Sequence, residues 1–210
     1  MIQKKNTFFI SLDGPDGGGK TTQAQLIAGY LKAKMLKSIV TREPGGSSIA
    51  EQIRSIILNP EHKAMSPTTE LLLYEASRAQ VVSEVIKPNI DAGISVVCDR
   101  FIDSTYAYQG FARNNQLEVI DYLNNLATDG LLPDITFILD VDPVVGIQRQ
   151  AAGRSLDRLE SEEEWFHVKV RQGYLDAAKR WPERIKVINA SRNMDYVFTE
   201  IKTYLDDLIG

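Results

Sequence analysis

Residues 14–21 read Gly-Pro-Asp-Gly-Gly-Gly-Lys-Thr. A glycine, four residues, then Gly19, Lys20 and Thr21 is the spacing of a phosphate-binding loop. A polyphosphate needs many donors close to the backbone. Gly14, Gly17, Gly18 and Gly19, interrupted by Pro15 and Asp16, let main-chain N–H groups approach an anion with no Cβ in the way. Lys20 adds a point charge for the outer phosphates, and Thr21 offers a hydroxyl to a magnesium ion. A merely flexible glycine-rich turn would share this composition but not its setting. Residues 7–12 form an apolar, β-prone run before the loop. After it, Thr22 opens a stretch carrying Leu26, Ile27, Tyr30 and Leu31 at helical spacing. Strand, loop and helix N-terminus in that order aim free N–H groups and a helix dipole at a phosphate.

Other residues could serve the same chemistry. Asp99-Arg100 ends an apolar run; the acid can hold magnesium through water and the guanidinium can clamp phosphate oxygens. A strand-end ion pair is the plainer alternative, which the loop makes less favoured. The two histidines, His62 and His167, lie in polar surroundings and read as surface residues, and no nucleophile–base constellation is present. Phosphoryl transfer needs none, because positioning and charge neutralisation carry it. A nucleoside triphosphate and a monophosphate together bring about six negative charges into contact. Lys20, Arg42, Arg54, Arg78 and Arg100 are available to hold them, with Arg149, Arg154 and Arg158 further along. Spacings of five and four in the polar stretch 148–164 suggest a closing lid that excludes water. Tyr74 and Arg78 share a helix face, so one can stack on a base while the other meets its edge. Ser104, Thr105, Tyr108 and Gln109 follow Asp99-Arg100. The Gln109 amide matches the donor–acceptor edge of a pyrimidine, and Tyr108 could crowd a ribose 2′ position.

These residues must be held by something. Strand-like runs at 7–12, 38–41, 95–98, 136–140 and 185–189 alternate with helical patterns, ending in Val197, Ile201, Leu205 and Leu208. The alternation predicts an α/β fold: a mostly parallel central sheet of about five strands flanked by helices. Ligands bind beyond the carboxyl ends of such strands, where the candidate residues fall. At 210 residues a single domain spanning 1–210 is expected, with the lid segment 148–164 standing apart as a solvated excursion. A net charge of −4 argues against a broad nucleic-acid surface. The lone Cys98 excludes an internal disulfide and reads as a buried hydrophobe. Neither a signal peptide nor a membrane-length apolar run is visible, which points to a cytoplasmic enzyme.

The chain resembles the bacterial thymidylate kinases over essentially its whole length. The resemblance rests on residues 13–22 around the loop, Thr41-Arg42-Glu43-Pro44-Gly45-Gly46, Leu72-Leu73-Tyr74 with Arg78, and Asp99-Arg100-Phe101 followed by Ser104 and Ala107-Tyr108-Gln109-Gly110. It implies transfer of phosphate from ATP to dTMP, with magnesium at Thr21 and Asp99, in a homodimer. It implies that Gly14, Pro15, Asp16, Gly17, Gly18, Gly19, Lys20, Thr21, Thr22 and Arg149 bind ATP. Asp16 would engage the acceptor sugar or order the phosphate-binding arginines, Arg54 and Arg100. Tyr74 would stack on thymine, and Arg78, Thr105 and Gln109 would meet its edge. Glu43, Pro44 and Ser104 would also touch dTMP, and Tyr108 would favour the deoxy sugar. Lys20, Arg100, Asp16 and the lid residues Arg154 and Arg158 would be catalytic. The family commonly has Phe-Glu-Gly where this chain has Leu12-Asp13-Gly14, and Phe where it has Tyr74. A kinase for another nucleoside monophosphate is the nearest rival. A regulatory GTP-binding switch is the rival of a different class, and its Asn-Lys-x-Asp guanine-reading element is missing.

Overall fold

The computed structural model describes residues 6–150 and 156–210. Five strands form one sheet: β1 (Phe9–Asp13), β2 (Ser38–Arg42), β3 (Ser95–Asp99), β4 (Ile135–Asp140) and β5 (Ile185–Asn189). All pair in parallel in the order β2-β3-β1-β4-β5. This is the expected α/β architecture. The chain leaves β1 toward one side of the sheet and leaves β3 toward the other, so a crevice opens above their carboxyl ends. Register brings those ends level, with Leu12 and Arg42 both opposite Asp99.

Alternation along β1 divides the interior. Phe8, Ile10 and Leu12 face α1 (Lys20–Ala33) and α9 (Met194–Ile209), where Ile27, Leu31, Val197, Ile201 and Leu205 complete one core. Phe9 faces the other side, against Val81, Val82, Ile86 and Phe101. A third cluster joins Ile138 and Ile185 to Phe166, Val170 and Tyr174 of α8 (Glu164–Arg180). With both faces covered, the strands read as continuous apolar runs. Cys98 lies in this interior, as expected.

Local signals set the connecting elements. Ser66 caps α3 (Pro67–Val81) by accepting the Thr69 N–H, and Pro67 starts the helix. α2 (Ser48–Leu58) packs beside it. α3 runs through a π-helical turn, Val82–Ile86, into α4 (Lys87–Asp91). After β3, the short α5 (Ile102–Thr105) passes into a second π-helical segment, Tyr106–Ala112. The wider π turn re-aims Tyr108 and Gln109 relative to an α-helical path. α6 (Leu117–Thr128) follows.

Two expectations need correction. The stretch 148–164 is not a free excursion where it is described. It begins within α7 (Pro143–Gln150), and after residue 155 it docks as a turn in which Arg158, Leu159 and Glu160 are buried. The Asp157 carboxylate builds that turn by accepting the N–H groups of Leu159 and Glu160. His167 is not a surface residue: it faces inward from α8, 5% exposed, because Phe166 and Val170 on the same helix are core. α7 also approaches the glycine loop backbone to backbone. A Cβ on Gly17 would stand 2.3 Å from the Gly146 carbonyl oxygen.

Below the sheet's working end runs a buried polar column. Arg184 grips both oxygens of Asp103 at 2.7 and 2.8 Å and also donates to Thr136, whose hydroxyl meets Ser11. Asp103 is 1% exposed, so losing its partner strands a charge in the interior. Arg184→Met should therefore destabilise the fold by about 3–5 kcal/mol in urea unfolding. Adding Asp103→Leu should restore part of that loss, because no unpaired carboxylate then remains.

Candidate active site

The loop between β1 and α1 places Gly14 at φ +127° and Gly17 at +74°. A Cβ on Gly14 would lie 2.6 Å from the Leu139 carbonyl oxygen, so glycine is required where the loop passes β4. Gly18 donates back to the Pro15 carbonyl, and Gly19 caps α1 at φ +84°. The unpaired N–H groups of the first helical turn face the space above the loop. Lys20 folds over it, donating to the carbonyls of Gly14 at 3.1 Å and Pro15 at 2.8 Å. Burial, helped by nearby Arg100, brings its pKa down to about 8. Phosphate oxygens arriving beside it favour the charged form.

A crevice of about 800 Å³ opens here, bordered by Lys20, Thr21, Thr22, Arg42, Asp99 and Arg100. Thr21 donates its hydroxyl to Asp99 at 2.5 Å. A hydroxyl and a carboxylate at the crevice are oxygen ligands suited to a hard cation. Among the described residues no group of three or more acids, histidines or cysteines could hold a metal unaided. Magnesium takes such oxygen ligands and keeps water and substrate phosphates as most of its shell. Arg149, at the end of α7, donates to the carbonyls of Gly17, Ala190 and Ser191, joining the loop to the turn after β5.

A second cavity, of about 110 Å³, adjoins the crevice. The two share Asp16, Glu43, Arg54 and Arg100. Pro44, Tyr74, Ser104, Tyr108 and Gln109 also line the smaller one. Arg100 is its hub. The backbone there is left-handed at φ +72°, unfavourable for a long side chain, and the hydrogen-bond network around it holds it so. Its guanidinium pairs with Asp16 and donates to the Gly14 carbonyl at 3.1 Å, Ser104 at 3.3 Å and Tyr174 at 2.9 Å. Tyr108 donates to the other Asp16 oxygen at 2.8 Å. Burial pushes the Asp16 carboxyl up, but Arg100, Lys20, the Tyr108 hydroxyl and His167 bring it below its ordinary value. Arg54 donates to the Pro44 carbonyl, which fixes it where the cavities meet.

Several predicted contacts lie elsewhere. Arg78, 1% exposed, sits behind the cavity wall and donates to Glu43, Glu75, Thr105, Asn124 and the Phe101 carbonyl. Thr105 is fully buried with it. Neither borders the cavity; each acts on it through Glu43 or the chain around Phe101. Arg158 does not point at the phosphate loop. It pairs with Glu70 at 2.7 Å and donates to the Ile57 carbonyl at 2.8 Å, because the turn carrying it is docked on α2 and α3. Glu70 also receives Gln109 and Arg113. Arg154 lies outside the described residues.

Sequence reasoning gave no role to Asp13 and missed other groups. Asp13, fully buried, accepts from the Ser104 hydroxyl at 2.5 Å and the Phe101 N–H at 3.3 Å. Burial, with Asp103 nearby, pushes it up to about 6. Its position at the last residue of β1, just before the loop, was the available signal. Tyr174, which meets both Arg100 and Ser104, carried only the helical spacing of a core residue. Leu58, Asp157, Leu159 and Glu160 also line the smaller cavity, and nothing local marked them.

The loop, its lysine, and a parallel sheet ending in Asp99 and Arg100 beside a second anion-ready cavity define a P-loop kinase. A family model, thymidylate kinase, matches residues 12–201. The thymidylate kinase of Clostridium novyi (strain NT) is 47% identical over 199 residues, covering 94% of this chain and 97% of that one. That of Geobacillus sp. (strain WCH70) is 47% identical over 205 residues, with 96% and 98% covered. A crystal structure of the thymidylate kinase from Ehrlichia chaffeensis superposes with a TM-score of 0.78 at 35% identity, covering 95% of this chain and 98% of that one. The chain belongs to the thymidylate kinase family.

Glu43 gives this site a pH signature. Arg78 is shared by two buried carboxylates, Glu43 and Glu75. Burial, opposed by Arg78 and reinforced by Glu75, pushes Glu43 from 4.5 up to about 7. Between these values the folded chain keeps a proton that the unfolded chain has released. The Glu43 contribution is thus full below about pH 4.5 and is lost as pH rises through 7. The stability of the wild type minus that of Glu43→Gln should fall across that window, as measured by urea unfolding at stepped pH.

Proposed function

We propose that this chain transfers the terminal phosphoryl group of ATP to dTMP, giving dTDP and ADP. The observation that carries this reading is the pair of adjoining cavities with a common wall of Asp16, Glu43, Arg54 and Arg100. One is built for a polyphosphate, and the other, opening from it, is lined for a planar base on a phosphorylated sugar. A GTP-dependent switch has no use for the second cavity.

In this reading Gly14, Pro15, Gly17, Gly18, Gly19, Lys20, Thr21 and Thr22 cradle the donor phosphates, with Arg149 on its nucleoside side. Arg54 and Arg100 bind the acceptor phosphate and bring its oxygen into line with the terminal phosphorus. Asp16 holds Arg100 and Tyr108 in place and meets the sugar, and Tyr108 closes the 2′ side. Tyr74 supplies a face for thymine and Gln109 an edge, with Glu43, Pro44 and Ser104 completing the wall. Arg78 has one Nη2 hydrogen to spare beyond the Phe101 carbonyl, and with Thr105 it fixes the base-side wall from behind. Lys20 and Arg100 carry the transition-state charge, with Arg154 as the lid cation. Magnesium, at Thr21 and through water at Asp99, would neutralise charge on the donor phosphates.

The same reading covers assembly. α2, α3 and α6 lie side by side and expose Ile49, Ile56, Leu72, Val119, Tyr122 and Leu126. Such an apolar face suits a homodimer. Among the described residues no helix is long and apolar enough to cross a membrane. A single-domain cytoplasmic enzyme acting on nucleotides rather than nucleic acid fits these features.

Purified protein with magnesium and ATP should phosphorylate dTMP faster than dUMP, dCMP, dGMP or AMP at equal concentration in a coupled ADP-release assay. A faster rate on another monophosphate would reassign the substrate. Thymine and uracil differ by one methyl, so discrimination against dUMP should be only about 10–200-fold. Lys20→Ala should lower kcat by about 100–1,000-fold, as removal of a preorganised charge does elsewhere. Chelating magnesium should abolish turnover and leave the thermal midpoint of the free protein unchanged.

A further inference from the structure

His167 is buried in α8, and its Nε2 has no hydrogen-bond partner among the described residues. A buried ring nitrogen without a partner is costly and calls for an explanation. The imidazole meets Phe166 edge to face. It lines a cavity of about 10 Å³ shared with Pro15 and Asp16 of the glycine loop, Tyr108, and Pro143 and Ile147 of α7. That volume is about what one water molecule requires. The Asp16 oxygens each hold one strong donor, Arg100 on one and Tyr108 on the other. A carboxylate oxygen has room for a second.

We propose that His167 is a positioning residue for the acceptor site: through one ordered water in this cavity, its Nε2 steadies Asp16, which in turn sets Arg100 and Tyr108. The inference rests on the dTMP-kinase reading above and deepens it. Among the described residues Asp16 is the only acid lining this cavity, and the others around it are Tyr108, Pro15 and apolar residues of α7 and α8. His167 is among the groups that bring the Asp16 carboxyl below its ordinary value. His167 therefore acts first on acceptor binding, since Gly17, Gly18, Gly19, Lys20, Thr21 and Thr22 do not border the cavity.

The test compares His167→Phe, which keeps the ring shape without the nitrogen, with His167→Gln, whose amide reaches about as far as Nε2. His167→Phe should raise the KM for dTMP about 3–10-fold, the worth of one net hydrogen bond. Its KM for ATP should stay within about twofold, and His167→Gln should return most of the loss. Equal dTMP KM values for the wild type and both variants would overturn the proposal. So would a matching rise in the ATP KM. A second measurement needs no variant. The chain has two histidines, and His62 is exposed. In ¹⁵N-histidine NMR of the wild type, the buried imidazole should shift when dTMP is added while the exposed one stays. A buried signal that ignores dTMP would also overturn it. If the wild type does not phosphorylate dTMP, the functional reading fails instead, which separates the two failures.

Discussion

A site that gathers two polyanions must keep positive charge out of water before the anions arrive, and an isolated desolvated cation is prohibitively unfavourable. This chain meets the constraint by backing its buried cations with acids. Arg100 has Asp16, Arg78 has Glu43 and Glu75, Arg158 has Glu70, and Arg184 has Asp103. Lys20 leans on two carbonyls with Asp16 4.0 Å away. The acids decide where the cations point. They also explain why so many carboxylates stand around a site meant for anions.

The same constraint orders the site in layers. Arg54 and Arg100 border the cavities, while Arg78, Thr105 and Asn124 form a second tier that holds the wall. Below Arg100, Ser104 links Asp13 to Tyr174. Below that, Asp103 and Arg184 close the column at the opposite end of the strands. Arg100 can sit in left-handed backbone because its N–H donates to the Leu12 carbonyl and its side chain is held on several sides. Removing any one contact leaves the rest to hold that conformation.

What could be read from the sequence was what local spacing encodes. The strands match the apolar runs to within a residue or two, and Ile185–Asn189 matches end to end. The glycine loop, Asp99-Arg100, and the stretch from Ser104 to Gln109 are contiguous, so their chemistry could be read from a few residues. The roles of Arg78 and Arg158 could not, because each depends on partners distant in the chain. Arg78 meets Glu43 35 residues away, and Arg158 meets Ile57 101 residues away. A charged, apolar-poor segment looks solvated until Glu70, far upstream, is known to receive it. His167 misled for a similar reason: its polar neighbours in sequence point outward while the ring follows Phe166 into the core.

Gly17 and Gly146 touch without side chains between them, and a Cβ on Gly146 would lie 2.1 Å from the Asp16 carbonyl oxygen. A side chain at either position would force the two backbones apart. The seat of α7 against the glycine loop thus depends on two missing methyl groups, and adding either one would pry that seam open.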